Sequence, residues 1–80
     1  MLSGLKSQNK AIGLKQTAKA VKEGRAKVVY LAEDAEERVL RPIRVLCEEN
    51  GVEIIEAATM RALGDACGID VGAAAAVVLK

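Results

Sequence analysis

Histidine, tryptophan and phenylalanine are absent from this 80-residue chain, Tyr30 is its one aromatic residue, and proline occurs once, as Pro42. Without histidine there is no imidazole to act as a neutral-pH acid or base, or to activate a serine or cysteine nucleophile. Without Phe or Trp there is no aromatic platform for stacking single-stranded bases. Cys47 and Cys67 are too few, and too deep in apolar helical patterns, for a disulfide framework; reduced thiols in a cytoplasmic protein are the expectation. The longest uninterrupted apolar run, Ala73 to Leu79, falls far short of the roughly 20 residues of a membrane span. Met1 to Lys10 lacks the apolar core of a signal peptide. A soluble chain with no membrane partner is therefore expected.

What is present is aliphatic. Hydrophobic residues make up 51% of the sequence, so a core has to be packed from Ala, Val, Leu and Ile between a sheet and helices. Eighty residues with no internal repeat or linker suggest one compact unit over 1–80. Net charge is only +1, but the charges are segregated. Residues 1–31 carry seven basic groups against Glu23 alone, and residues 32–70 carry ten acids against four arginines. A basic amino-terminal third is the footprint of a phosphate-facing surface. Solvated lysines kept for solubility would give the same count.

Periodicity and breakers set out the elements. Leu2 to Gln8 can form a short helix, and Lys10 to Gly13 a brief strand. Leu14 to Lys22 then puts Leu14, Ala18 and Val21 on one stripe and Lys15, Lys19 and Lys22 on another, with Gly24 as a left-handed stop. Lys27 to Ala32 is a near-continuous apolar run, the mark of a strand covered on both faces. Glu36 to Asn50 reads as a long helix with Val39, Leu40, Ile43, Leu46 and Cys47 buried; Pro42 should make it start late or kink. Val52 to Ala57 and Ala73 to Leu79 are further strands, and Thr59 is placed to cap a helix over Met60 to Cys67. Strands alternating with helices imply an α/β sandwich with helices on both faces.

Few residues suit catalysis. An activated Cys67 is outweighed by its role as a small buried hydrophobe. The acids Glu33, Asp34, Glu36 and Glu37 are explained by the dipole of the long helix before any metal site. Gly64, Gly68 and Gly72 fit neither a dinucleotide nor a P-loop fingerprint. No cofactor or metal is expected.

Two segments offer recognition chemistry instead. Gly13-Leu14-Lys15-Gln16-Thr17-Ala18-Lys19 opens a helix with a glycine, leaving backbone N–H groups for an anion. Lys15 and Gln16 can hydrogen-bond base edges, and Lys19 follows one turn on. An ordinary amphipathic helix with a polar face would look the same. Cys67-Gly68-Ile69-Asp70-Val71-Gly72-Ala73-Ala74 places the apolar Ile69 and Val71 in a loop, where they either plug the end of the sheet or meet a partner. Gly72-Ala73-Ala74 allows close approach of another backbone or a nucleotide.

At these residues the chain resembles the kink-turn-binding ribosomal proteins of the L-seven-Ae / L-thirty-e superfamily, in particular their small bacterial members of the YbxF type. The resemblance extends over Val28-Val29-Tyr30-Leu31-Ala32-Glu33-Asp34-Ala35, Leu46-Cys47-Glu48-Glu49-Asn50-Gly51-Val52 and Leu63 to Ala75. It implies a three-layer α/β/α sandwich with a mixed four-stranded sheet. It further implies a non-catalytic protein that binds kink-turn RNA, a sharply bent helix–bulge–helix with tandem sheared G·A pairs. The expected partner is structured RNA, ribosomal or riboswitch-like, with the ribosome itself a further candidate; the protein is expected to be a monomer. The implied RNA-binding residues are Gly13, Leu14, Lys15, Gln16 and Lys19 at the guanines and Ile69, Asp70 and Val71 at the bulged nucleotides. Gly72 and Ala73 would shape the loop, and Glu36 and Leu40 are weaker carry-overs. Lys15 and Gln16 stand where archaeal and eukaryotic relatives usually have Asn and Glu, and Gly72 where they often have proline. Outside the resemblance, a protein-interaction adaptor using the acidic face of the long helix remains the alternative.

Overall fold

The computed structural model describes residues 9–80; the helix expected over Leu2 to Gln8 lies outside them. The elements run β1 (Lys10–Ile12), α1 (Leu14–Lys22), β2 (Ala26–Ala32), α2 (Glu37–Asn50), β3 (Glu53–Ala57), α3 (Met60–Cys67) and β4 (Ala75–Leu79). Sheet order is β1-β4-β2-β3, with β2 and β3 parallel and the other pairings antiparallel. The sheet is therefore mixed and four-stranded, as expected.

Strand alternation sends the apolar run of β2 to both sides. Val29 and Leu31 of β2 join Ala75 and Val77 of β4 in a core with Ala20 and Val21 of α1 and Leu40, Ile43 and Cys47 of α2. Their neighbours Tyr30, Ala32, Ala76 and Val78 meet Leu63 and Cys67 of α3 on the other face. Helices α1 and α2 thus form one layer, the sheet the second and α3 the third. Both central strands are covered on both sides, so their sequences read as unbroken apolar runs. None of the helices among the described residues is long and apolar enough to cross a membrane.

The element boundaries that differ from expectation do so for identifiable reasons. β3 starts at Glu53 rather than Val52 because the Val52 N–H donates to the Cys47 carbonyl at 2.9 Å, closing α2 past Gly51 in the left-handed region at φ 66. β4 starts at Ala75 rather than Ala73 because Ala73 and Ala74 are used elsewhere: the Ala73 N–H donates to the Met60 carbonyl and the Ala74 carbonyl accepts from Ala32, each at 2.9 Å. Helix α2 runs through Pro42 and begins at Glu37, with Glu36 as its cap. Pro42 cannot donate to the Arg38 carbonyl, but both residues are exposed, so water can serve that acceptor.

One side chain in the α1 layer is at odds with its surroundings. Thr17 is fully buried, and among the described residues its Oγ1 has no hydrogen-bond partner. A buried hydroxyl without a partner carries an uncompensated desolvation cost. Thr17→Val keeps the shape and removes the hydroxyl, so it should raise unfolding stability by about 1 kcal/mol, read as a higher urea midpoint at unchanged m-value.

Candidate nucleic-acid interface

Four connections meet at one end of the sheet. Register pairs Ile12 with Ala76, Leu31 with Ala75 and Ala32 with Ala57, so β1, β2 and β3 end where β4 begins. The β1–α1 turn, the β2–α2 loop, the β3–α3 turn and the α3–β4 loop all emerge there. In open α/β sheets this is where ligands bind, beyond the carboxyl ends of parallel strands.

Backbone hydrogen bonds hold these connections together. The Gly13 N–H donates to the Ala75 carbonyl at 2.9 Å, tying the start of α1 to the start of β4. Gly13 has φ 113, a conformation that suits glycine alone, and it offers no side chain to cap the helix. With no cap bond and no acid in the first turn of α1, the positive end of the helix is left for an outside acceptor. Lys15, Gln16 and Lys19 are exposed along its outer face, while Leu14 is half-buried against the α1–α2 core.

The α3–β4 loop is built against α3. Gly68, at φ 82, ends the helix, and the Ile69 N–H returns to the Gly64 carbonyl at 3.1 Å. Ile69 is half-buried against the α3-side core, where it helps to plug the sheet end. Asp70 is exposed, and Val71 projects furthest, at 69% exposure. A Cβ on Gly64 would collide with the Val71 carbonyl oxygen, and one on Gly72 would come to 3.2 Å from Met60 Cβ. Gly64 is buried in the helix interior for that reason: the loop lies flat on α3 only where α3 has no side chain.

A second tie comes from an acid whose expected role differs. Of the four acids around the start of α2, only Glu37 lies in that helix's first turn. Asp34 reaches across instead, its Oδ1 accepting from the Met60 N–H at 2.7 Å. Thr59 Oγ1 accepts from the Ala62 N–H at 2.9 Å, so α3 has two caps, one its own and one from the β2–α2 loop. Glu36 is exposed and paired with Arg38 at 3.2 Å. Glu37 and Glu56 both bind Arg44, which joins α2 to β3 and whose guanidinium is held well above its usual range by the Glu56 hydrogen bond first of all.

The structure thus brings Gly13, Lys15, Gln16, Asp70, Val71 and Gly72 to one end of the molecule, with Lys19 about a turn further along α1. Leu40 needs correction: at 1% exposure it is part of the α1–α2 core and has no surface to offer RNA. Ala73, 5% exposed, shapes the loop through its bond to Met60 rather than by contact. Asp34, Met60 and Gly64 also support this end of the molecule. Only Gly64, a glycine inside a helical pattern, carried a sequence signal. Burial pushes the thiols of Cys47 and Cys67 up, with Lys10 partly opposing this at Cys67, which makes both poor nucleophiles at neutral pH. Groups of three or more metal-ligating side chains are absent among the described residues.

A sandwich that presents an uncapped basic helix start beside an apolar loop tip at the end of its sheet is a binding scaffold. Comparison with known proteins identifies which. Residues 3–80 match the Ribosomal protein L7Ae/L30e/S12e/Gadd45 family. "RNA-binding protein TTE2299" of Caldanaerobacter subterraneus subsp. tengcongensis is 51% identical over 67 residues, covering 84% of this chain and 82% of that protein. "RNA-binding protein YbxF" of Geobacillus stearothermophilus is 42% identical over 69 residues, covering 86% and 84%. Among solved structures, the Giardia lamblia 15.5kD RNA binding protein superposes with a TM-score of 0.87 at 29% identity, over 96% of this chain and 65% of that one. The chain belongs to the L7Ae/L30e/S12e/Gadd45 family.

Gly64→Ala should lift the α3–β4 loop off α3, lowering unfolding stability by about 1–3 kcal/mol and broadening the amide resonances of residues 69–73. Asp34→Ala should cost about 1 kcal/mol, whereas Asp34→Asn, which keeps an acceptor oxygen, should cost less. Chemical denaturation of the three variants checks the ordering. Iodoacetamide labelling of Cys67, which is 5% exposed, should be slow in the folded protein and fast in urea.

Proposed function

We propose that this protein is a non-catalytic RNA-binding protein that recognises and stabilises kink-turn RNA, acting in the cytoplasm and in association with ribosomal or riboswitch-like RNA. The observation that carries the reading is the Gly13 N–H to Ala75 carbonyl bond. It ties the start of α1 to the start of β4, just after the loop bearing Val71, which supports reading the two as one surface. Relatives named as RNA-binding proteins, at 51% and 42% identity, support the same reading.

In this reading, Lys15 and Gln16 hydrogen-bond the base edges of the G·A pairs. Val71 packs against the bulged nucleotides, where an exposed aliphatic group gains by leaving water. The lysines draw in the phosphate backbone, a contribution that falls as salt rises. Binding then favours the kinked form in proportion to its differential affinity over the extended one. The protein does no chemistry; its effect is on RNA shape.

Affinity for a kink-turn duplex should exceed that for the same duplex with its G·A pairs replaced. The Lys15→Ala, Gln16→Ala double variant should bind both equally, and Lys19→Ala should bind both less tightly. Titration of the two duplexes at two salt concentrations measures this. Retained discrimination in the double variant would count against the assignment.

A further inference from the structure

The start of α1 and the loop bearing Val71 are joined by a closed ring of hydrogen bonds. At α1 the Gly13 N–H donates to the Ala75 carbonyl, and the adjacent Ala74 carbonyl accepts from the Ala32 N–H, each at 2.9 Å. Beyond Ala32 the chain turns, the Ala35 N–H returning to the Ala32 carbonyl at 3.2 Å, and Asp34 sits inside that turn. Asp34 Oδ1 accepts from the Met60 N–H at 2.7 Å. The Met60 carbonyl accepts from the Ala73 N–H at 2.9 Å, and Ala73 leads back to Ala74. Every link but one joins backbone to backbone. The exception is Asp34, the point at which a change of side chain can open the ring.

The ring decides where Val71 stands. Residues 69–73 form an arch with both feet on α3: the Ile69 N–H on the Gly64 carbonyl at 3.1 Å and the Ala73 N–H on that of Met60. Those two carbonyls are about one helical turn apart, so the arch follows α3 wherever the helix goes. Thr59 caps the Ala62 N–H within its own helix and ties α3 to nothing else, whereas Asp34 ties the first amide of α3 to the β2–α2 turn. Asp34 is exposed, but a carboxylate on a backbone N–H is among the stronger hydrogen bonds.

Resting on the RNA-binding reading above, we infer that Asp34 is a positioning residue for the recognition of bent RNA: by holding the Met60 amide it fixes the Val71 arch relative to Lys15 and Gln16. Its two properties act in opposite directions. The negative charge repels a phosphate backbone of either shape, while the hydrogen bond aligns the apolar tip that only the bent RNA meets. Removing the charge and keeping the bond therefore preserves discrimination, and removing both destroys it.

The test is a double-variant cycle read on the kink-turn duplex and on the duplex with its G·A pairs replaced. Asp34→Ala should weaken binding of the first about fivefold, the scale of one lost cap, and leave the second bound no less tightly. Asp34→Asn, which keeps an acceptor oxygen, should retain the wild-type ratio between the two. In a Val71→Ala background, Asp34→Ala should weaken the kink-turn duplex no further, because the tip it positions is gone. A general loss of folding would weaken both duplexes and be indifferent to residue 71. Equal weakening of both RNAs by Asp34→Ala, unchanged discrimination in that variant, or effects additive with Val71→Ala would each overturn the inference. Amide hydrogen exchange gives an RNA-free readout: the Ala73 N–H should exchange faster in Asp34→Ala and at the wild-type rate in Asp34→Asn, and unchanged Ala73 protection in Asp34→Ala would also overturn it. Failure of the wild type to distinguish the two duplexes would instead sink the kink-turn reading, and Ala73 exchange would still decide whether Asp34 holds the arch.

Discussion

The hydrogen bond from the Gly13 amide to the Ala75 carbonyl is what turns two distant stretches of chain into neighbours. β1 is only three residues long, and its antiparallel pairing with β4 delivers Gly13 to the point where β4 begins. Glycine is needed there because the chain must enter a helix from a φ of 113. The same residue supplies no cap, so the demand of the turn and the openness of the helix start have one cause. Without that juncture, α1 would still be an amphipathic helix and the α3–β4 loop still a loop, but they would not make a common surface.

Support for that surface is distributed. Asp34 and Thr59 cap α3 from two directions, Met60 passes the constraint to Ala73, and the glycine at 64 lets Val71 settle. Each tie is a single short polar contact or an omitted side chain. None needs a large core, which suits an 80-residue chain whose interior is mostly alanine and valine between the helices. Specific geometry at the sheet end is obtained from backbone groups that would otherwise need water.

Much of this was legible beforehand because the signals were local or periodic. Gly13, Gly24, Gly51 and Gly68 mark breaks that the structure realises as positive-φ residues, and the aliphatic runs of β2 and β4 announced strands buried on both faces. The errors cluster where a residue serves a partner distant in sequence. Asp34 looked like dipole compensation for the helix that follows it, and only the tertiary fold shows that it serves α3 instead. Ala73 and Ala74 looked like strand because composition cannot reveal that their backbone groups are already committed. The resemblance implies an RNA-binding role for Leu40, although the periodic stripe places it inside, where the structure has it.

The segregation of charge also acquires a spatial meaning. The lysines of α1 lie over the β1–β4 side of the sheet, while Glu48, Glu49, Glu53 and Glu56 belong to the end of α2 and to β3, the opposite edge strand. A molecule of almost zero net charge is therefore strongly polar in its field. In the neighbourhood of a polyanion it experiences little net pull but a substantial torque. Diffusional encounters are turned so that the cationic flank leads and the carboxylate flank trails, and orientation is selected before any contact is made.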